Sequence, residues 1–325
     1  MDLLYSDIIS LIISFCPSTQ LKLVNRLWYN AYKKAKILYK ISFQPESTTF
    51  ISSIGGTQGL FKRPFGVSFC RDGRILVADT DNHRIVVLDN SGKFLSTFGS
   101  IGNADGQISS PKDVQELSSG IIAVPDNGND RIQLFDGSGT FSSKFGSPGS
   151  GNSQFAGPMC LSETFLKGIA VSDCSNHRIQ LFESSGKFIS TFGSKGSQDG
   201  QLHYPCGIDA HQQDRILVAE MCNYRISVFD GRGTFLFKFG VPQGSLSQPS
   251  GISGMRGNGV SGGTIFVADC DNHRICVWDR AGQFLFAFGS NGSGNSHFNC
   301  PFGVAVSKQG RIAVADMNNH RICFF

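Results

Sequence analysis

One short segment of this chain is written six times. It begins with an acidic residue at Asp79 (DTDNHRI), Asp126 (DNGNDRI), Asp173 (DCSNHRI), Glu220 (EMCNYRI), Asp269 (DCDNHRI) and Asp316 (DMNNHRI), at intervals of 47, 47, 47, 49 and 47 residues. Self-similarity at a fixed period of this size describes units that bury their apolar faces against the next copy, and it constrains the fold before any local propensity does.

Each period reads as four short strands. In the first unit they are PFGVSF (64–69), RILVAD (74–79), HRIVVLD (83–89) and KFLSTFG (93–99), separated by Arg71-Asp72-Gly73 and Asn90-Ser91-Gly92. Valine, isoleucine and phenylalanine dominate the strands, and turn residues punctuate them. The 39 glycines weigh against a helical alternative, since each costs about 1 kcal/mol inside a helix. Four strands in one period make a propeller blade, and six periods make a six-bladed wheel.

The two ends of the repeat interlock. The last unit has PFGVAV, RIAVAD and HRICFF but no fourth strand, while TTFISSIG (48–55) matches a fourth strand and has no first three before it. The segment at 48–55 is therefore predicted to complete the last blade and leave no unpaired edge. The expected fold is all-β over residues 44–325, a six-bladed propeller closed by an N-terminal strand and preceded by a small α-helical module in residues 1–43. The acidic residue, Asn-His-Arg-Ile, the upstream Pro-x-Gly-[IV] and the intervening Phe-Gly together resemble the NHL repeat, with Asp130 and Tyr224 standing where the pattern has histidine. The resemblance covers residues 48–325 and is similar to the NHL domains of tripartite-motif ubiquitin ligases.

The first 43 residues follow a different pattern. Ile8, Leu11, Ile12 and Phe15, then Leu23, Val24, Leu27, Trp28 and Ala31, recur at helical spacing around a Cys16-Pro17-Ser18-Thr19 break. One reading is a helical plug on the wheel. The other is that DIISLIISFCPSTQLKLVNRLWYNAYKKA resembles an F-box, although Tyr5-Ser6 replaces the family's Leu-Pro opening. That resemblance implies docking to a Skp adaptor of a cullin-RING ligase through Ile8, Ile12, Leu21, Leu23, Val24 and Trp28.

Charge and chemistry narrow the functions. Of 29 basic and 25 acidic residues, positions 1–43 hold six and two, so 23 of each remain and the wheel is neutral. This disfavours RNA, which demands lysine and arginine against phosphate. No signal peptide or membrane-length apolar run is read, so a cytoplasmic or nuclear compartment is expected and secretion is not. The ten cysteines form no CxxC pair and are expected to be reduced, buried space-fillers.

His83, His177, His273 and His320 stand once per blade and would not converge on a metal. The amidating lyases, which resemble this wheel, hold zinc and a catalytic tyrosine in the central channel, but no distinctive extra histidine argues for that here. Gly257 to Gly262 matches GxGxxG between strands rather than before a helix, and reads as an expanded loop. No catalytic residue, metal or cofactor is nominated.

The acidic–arginine pairs are expected to fix the fold: Asp79 with Arg84, Asp126 with Arg131, Asp173 with Arg178, Glu220 with Arg225, Asp269 with Arg274, Asp316 with Arg321. The residues that differ between units are expected to bind. They are Thr80-Asp81, Asn127-Gly128, Cys174-Ser175, Met221-Cys222, Cys270-Asp271 and Met317-Asn318, on the face shared with connections such as Ile101 to Ser110 and Ser194 to Tyr204. The sequence thus favours a protein-binding propeller serving as substrate receptor of a ubiquitin ligase. An RNA-binding wheel or a plain scaffold comes next, and a lyase-type enzyme last.

Overall fold

The strands of this chain are apolar on both faces, which an isolated two-layer sheet cannot satisfy, and the architecture answers this by giving every sheet two neighbours. In a computed structural model, which describes residues 48–56, 59–212, 214–240, 245–254 and 263–325, six four-stranded antiparallel sheets each follow the simple order first, second, third, fourth, with one two-residue parallel pair besides. The innermost strands are Pro64–Phe69, Gln115–Glu116, Pro158–Glu163, Pro205–Gln212, Pro249–Gly254 and Pro301–Val306, and they pack against one another around an axis. Residues 1–43, with the predicted F-box-like helices, and the loop 257–262 lie outside the described residues. Among those described, no helix is long and apolar enough to cross a membrane.

Alternation sends each strand's residues to different neighbours. Leu76, Ala78, Ile85 and Val87 of the first blade pack on Val114, Ile122, Val124 and Phe135 of the second. Their sequence neighbours Ile75, Val77, Val86 and Leu88 pack on Ala305, Ala313, Ile322 and Phe324 of the sixth. Period-two patterning therefore divides the strand between two interfaces, both buried, and this is why its sequence is continuously apolar.

The recurrent Phe-Gly has a packing cause. Phe98, Phe145, Phe192 and Phe239 stack on Phe135, Phe182, Phe229 and Trp278 of the following blade at ring-centroid distances of 4.9, 4.8, 4.7 and 5.1 Å. The next blade's turn glycine covers the same ring: a Cβ on Gly186, at φ +86°, would stand 2.5 Å from the Phe145 ring. The partner rings Phe135, Phe182, Phe229 and Trp278 are almost wholly buried, each contributing about 1.5–3 kcal/mol of transfer free energy.

The ring closes as expected. Ser52–Gly55 pairs antiparallel with Arg321–Phe324, Ser52 opposite Phe324 and Gly55 opposite Arg321, to complete the sixth sheet. Ile54 takes the stacking phenylalanine's place beneath Gly92, whose Cβ would stand 2.1 Å from the Ile54 side chain. Deleting residues 48–55 is expected to expose the edge of Arg321–Phe324 and promote self-association. Size-exclusion chromatography with light scattering of the truncated and full chains checks this, and an unchanged molar mass per chain would refute it.

Candidate functional site

Antiparallel order brings the turns between second and third strands to the same end of the wheel as the arms that lead into each blade. In five blades the turn is a single 3-10 turn: Thr80–Asn82, Asn127–Asn129, Cys174–Asn176, Cys270–Asn272 and Met317–Asn319. Beneath each lies a carboxylate with no solvent exposure. Asp79 accepts from the Lys62 backbone N–H at 2.7 Å, Asn82 Nδ2 at 2.9 Å and Arg84 Nε at 2.8 Å. The arginine's outer nitrogens fold the arm onto the turn: Arg131 donates to the carbonyls of Asn103 at 2.8 Å and of Ala104 and Gln107 at 2.9 Å. Arg178, Arg225 and Arg321 repeat that three-carbonyl grip. Asp, Asn and Arg thus form one clip per blade, built of charge-assisted hydrogen bonds.

The histidine does something else: it reaches the next blade. His83, His177, His273 and His320 sit in left-handed backbone just past the turn, and their Nδ1 atoms accept the backbone N–H of Ser110, Tyr204, Cys300 and Arg63 at 3.0 to 3.1 Å. An accepting Nδ1 requires the neutral ring with its proton on Nε2. Asp130 replaces the imidazole with a carboxylate, accepting from Gly157 N–H at 2.7 Å. In the fourth unit Tyr224 is 48% exposed, and no equivalent bond forms among the described residues.

The twelve variable residues separate by position. The first of each pair turns inward, and most fasten blades: Thr80 Oγ1 donates to the Pro111 carbonyl at 2.6 Å, Asn127 Nδ2 to the Pro158 carbonyl at 3.1 Å, and Met317 Sδ lies 3.8 Å from Arg63 Nη2. Cys270 occupies the same place and forms a disulfide with Cys300 of the next blade. Cys174 is buried and Met221 half-buried. The second residues, Gly128, Ser175, Cys222, Asp271 and Asn318, are exposed, and Asp81 is half-exposed.

The uniform reading of the cysteines as reduced space-fillers is corrected here. Cys270 and Cys300 are bonded because an inter-blade fastening position and the residue before the next Pro both carry sulfur, and Cys222 is exposed. Cys276 and Cys323 point Sγ at the buried carboxylates of Asp269 and Asp316, where Gln133 and Gln180 elsewhere donate. Burial first, then for Cys276 the neighbouring carboxylate, pushes both thiols up to about 12, so they remain protonated donors. Among the described residues Cys270, Asp271 and Cys300 are the one group with metal-ligand spacing, and the disulfide occupies both sulfurs.

The axis holds a feature that sequence reasoning missed. A cavity of about 750 Å³ runs between the innermost strands. At the end near the turns it is closed by Phe65, Phe302, Cys206 and Met317, with Met159 and Met221 against them, and Lys112 Nζ lies 3.8 Å from the Phe65 ring centroid. Glycine marks where these strands nearly touch: a Cβ on Gly207 would stand 2.0 Å from the Ser250 carbonyl oxygen. The second and third blades carry Asp113 and Cys160 at this place instead, the signal by which the lining was legible. In the second blade the change coincides with an innermost strand cut to Gln115–Glu116. Asp113 faces the cavity, and burial pushes its carboxyl up to about 7 against the backbone N–H groups of Leu161 and Val114.

The clip and the histidine bond give this architecture a family likeness. The chain is a six-bladed propeller in which the NHL repeat model matches two segments, residues 61–88 and 298–325. The chain is 36% identical over 67 residues to Protein brain tumor of Drosophila melanogaster, an alignment covering 21% of this chain and 6% of that protein. Among solved structures it is similar to a streptogramin B lyase (TM-score 0.61, 16% identity, 84% of this chain and 96% of that one). It is also similar to a gluconolactonase of Xanthomonas campestris (TM-score 0.61, 11% identity, 81% and 86%). At these identities the two enzymes share the fold.

Removing one half of a clip leaves a buried charge without its partner, which costs about 3–5 kcal/mol. Arg131→Ala, whose side chain is 9% exposed beside a wholly buried Asp126, is expected to lower stability by about that amount in urea or thermal unfolding, and a loss below about 1 kcal/mol would refute the clip's role.

The histidine bond has a pH signature. Burial, then His203 and Lys195, hold His177 below the ordinary imidazole range. A lowered folded value means the unfolded chain binds the proton more readily. The stabilisation is therefore full above about pH 6.5 and lost as pH falls through the folded value. His177→Asp, which copies Asp130, is expected to reduce the fall in melting temperature between about pH 8 and about pH 5, measured against the unsubstituted chain; identical profiles would refute the bond's contribution.

Proposed function

We propose that the wheel is a protein-binding module that captures a partner on the face of the turns between second and third strands. One observation carries this reading: the side chains repeated in most or all blades are committed to clips, inter-blade bonds and ring stacks, whereas the second turn residues, which vary around the ring, stand toward solvent on one face. At its centre Met159 and Met221 lie half-buried on Phe65 and Phe302. Thioethers adapt to varied apolar side chains, which suits a polypeptide. The equal numbers of acidic and basic residues after position 43 favour protein over RNA.

The F-box resemblance of residues 1–43 extends the proposal: the chain is the substrate receptor of a ubiquitin ligase, with Ile8, Ile12, Leu21, Leu23, Val24 and Trp28 docking Skp and cullin, and with a protein or peptide substrate on the wheel. The test is affinity capture followed by mass spectrometry, using the full chain, residues 44–325, and a full chain carrying Asp81→Arg, Asp271→Arg and Asn318→Arg. Partners of the wheel should survive removal of residues 1–43 and be lost from the triple variant. Skp and cullin should appear with both chains that keep residues 1–43 and be absent from the truncated one. Partner recovery unchanged by the triple variant overturns the face assignment, recovery abolished by ribonuclease transfers it to RNA, and absence of Skp overturns the ligase reading.

A further inference from the structure

The axial cavity has its own mouth, at the end opposite the turns, and its lining changes character with depth. Each innermost strand supplies one level per residue, so the order can be read along the chain. Behind the apolar closure comes Asp113; two residues further lie Ser68, Gln115, Ser162, Asp209 and Ser253; then Glu116 and Glu163; and past the strand ends Arg71, Lys167 and Lys308. The interior is acidic and the rim basic.

Part of this lining is masonry. Gln115 accepts the Glu163 backbone N–H at 3.0 Å, Ser162 that of Ala210 at 3.0 Å, Ser253 that of Val306 at 3.2 Å, and Asp209 that of Gly254. Glu163 accepts the Ser118 N–H at 2.9 Å and stands 4.0 Å from Lys167 Nζ, and Glu116 accepts the Arg71 N–H at 2.8 Å with Arg74 at 3.8 Å. The Glu116 and Glu163 carboxylates each have capacity for further donors after these bonds. Ser68 breaks the pattern at its level: its Oγ is buried and has no partner among the described residues. A cavity large enough for a small molecule thus presents an unsatisfied hydroxyl and carboxylates inside, with exposed cations at its entrance, Lys167 being 66% exposed.

We propose that this channel is a second binding site, independent of the turn face, for an elongated zwitterion that inserts an amine or guanidinium between Asp113 and Asp209 and leaves its carboxylate with Arg71, Lys167 and Lys308. Three strand residues separate the level of Asp209 from that of Arg71, about 10 Å at about 3.3 Å each, so the two charges of the ligand are several carbons apart. An α-amino acid, with both charges on adjacent carbons, cannot reach both levels; an ω-amino acid can.

Isothermal titration of the full chain with ε-aminocaproate, hexylamine and hexanoate tests this. Binding of ε-aminocaproate, with hexylamine weaker and hexanoate silent, is the expected result. Asp209→Asn keeps an acceptor for the Gly254 N–H, and it should weaken ε-aminocaproate at least about tenfold. Lys167→Glu, on the exposed rim, should weaken ε-aminocaproate while leaving hexylamine unchanged or tighter. Melting temperatures of both variants confirm that the wheel is intact, and the triple variant of the turn face should bind as the unsubstituted chain does. No binding of ε-aminocaproate, hexylamine bound as tightly as ε-aminocaproate, or indifference to both substitutions in folded protein overturns the proposal.

Discussion

The wheel depends on a carboxylate that never meets water. In each blade an acidic side chain with no solvent exposure sits under the turn between second and third strands and is met by an arginine Nε, an asparagine amide and a backbone N–H. A charge so placed costs several kcal/mol in lost hydration, and only a full set of donors offsets it. The donors come from three places in the blade, so satisfying the charge folds the arm, the turn and the third strand together. The phrase repeats because six consecutive residues, Asp79 to Arg84 in the first blade, hold the acceptor, two side-chain donors and the left-handed residue that redirects the chain.

Holding a blade together and holding blades to each other are separate tasks, given to neighbouring residues. Asparagine and arginine act within the blade. Histidine, the inner residue of each variable pair, and the phenylalanine of Phe-Gly act between blades. The inter-blade contacts use different chemistry at equivalent positions: a hydroxyl in Thr80, an amide in Asn127, a disulfide at Cys270, a thioether at Met317. The geometry demands that something reach the next blade and leaves its identity open, which explains why these positions vary.

That freedom also marks what could be read from the sequence. The repeat spacing, the strand positions and the orphan segment at 48–55 gave the architecture, because strand alternation and edge pairing are local or periodic and leave a linear trace. The twelve variable residues were legible as a set but not as two. Inward and outward members alternate along one tight turn, and only the adjoining blade shows which is covered. The Cys270–Cys300 bond was hidden because its partners come from neighbouring blades. The axial channel was hidden because its lining is assembled from one or two residues of every unit; Asp113 and Cys160 in place of glycine were its only trace.

The pairing of Ser52–Gly55 with Arg321–Phe324 has a consequence for how the molecule is made. The hydrogen bond from the Ile51 N–H to the Phe324 carbonyl joins residues separated by nearly the whole wheel, so the entropy of closing that loop is met late and in one step. During synthesis five blades can assemble as they leave the ribosome. The sixth must wait for Arg321–Phe324, with the segment at 48–55 held in reserve. Until then the nascent wheel is an open arc with two bare apolar flanks, and its exposure to aggregation lasts until Arg321–Phe324 is made and paired.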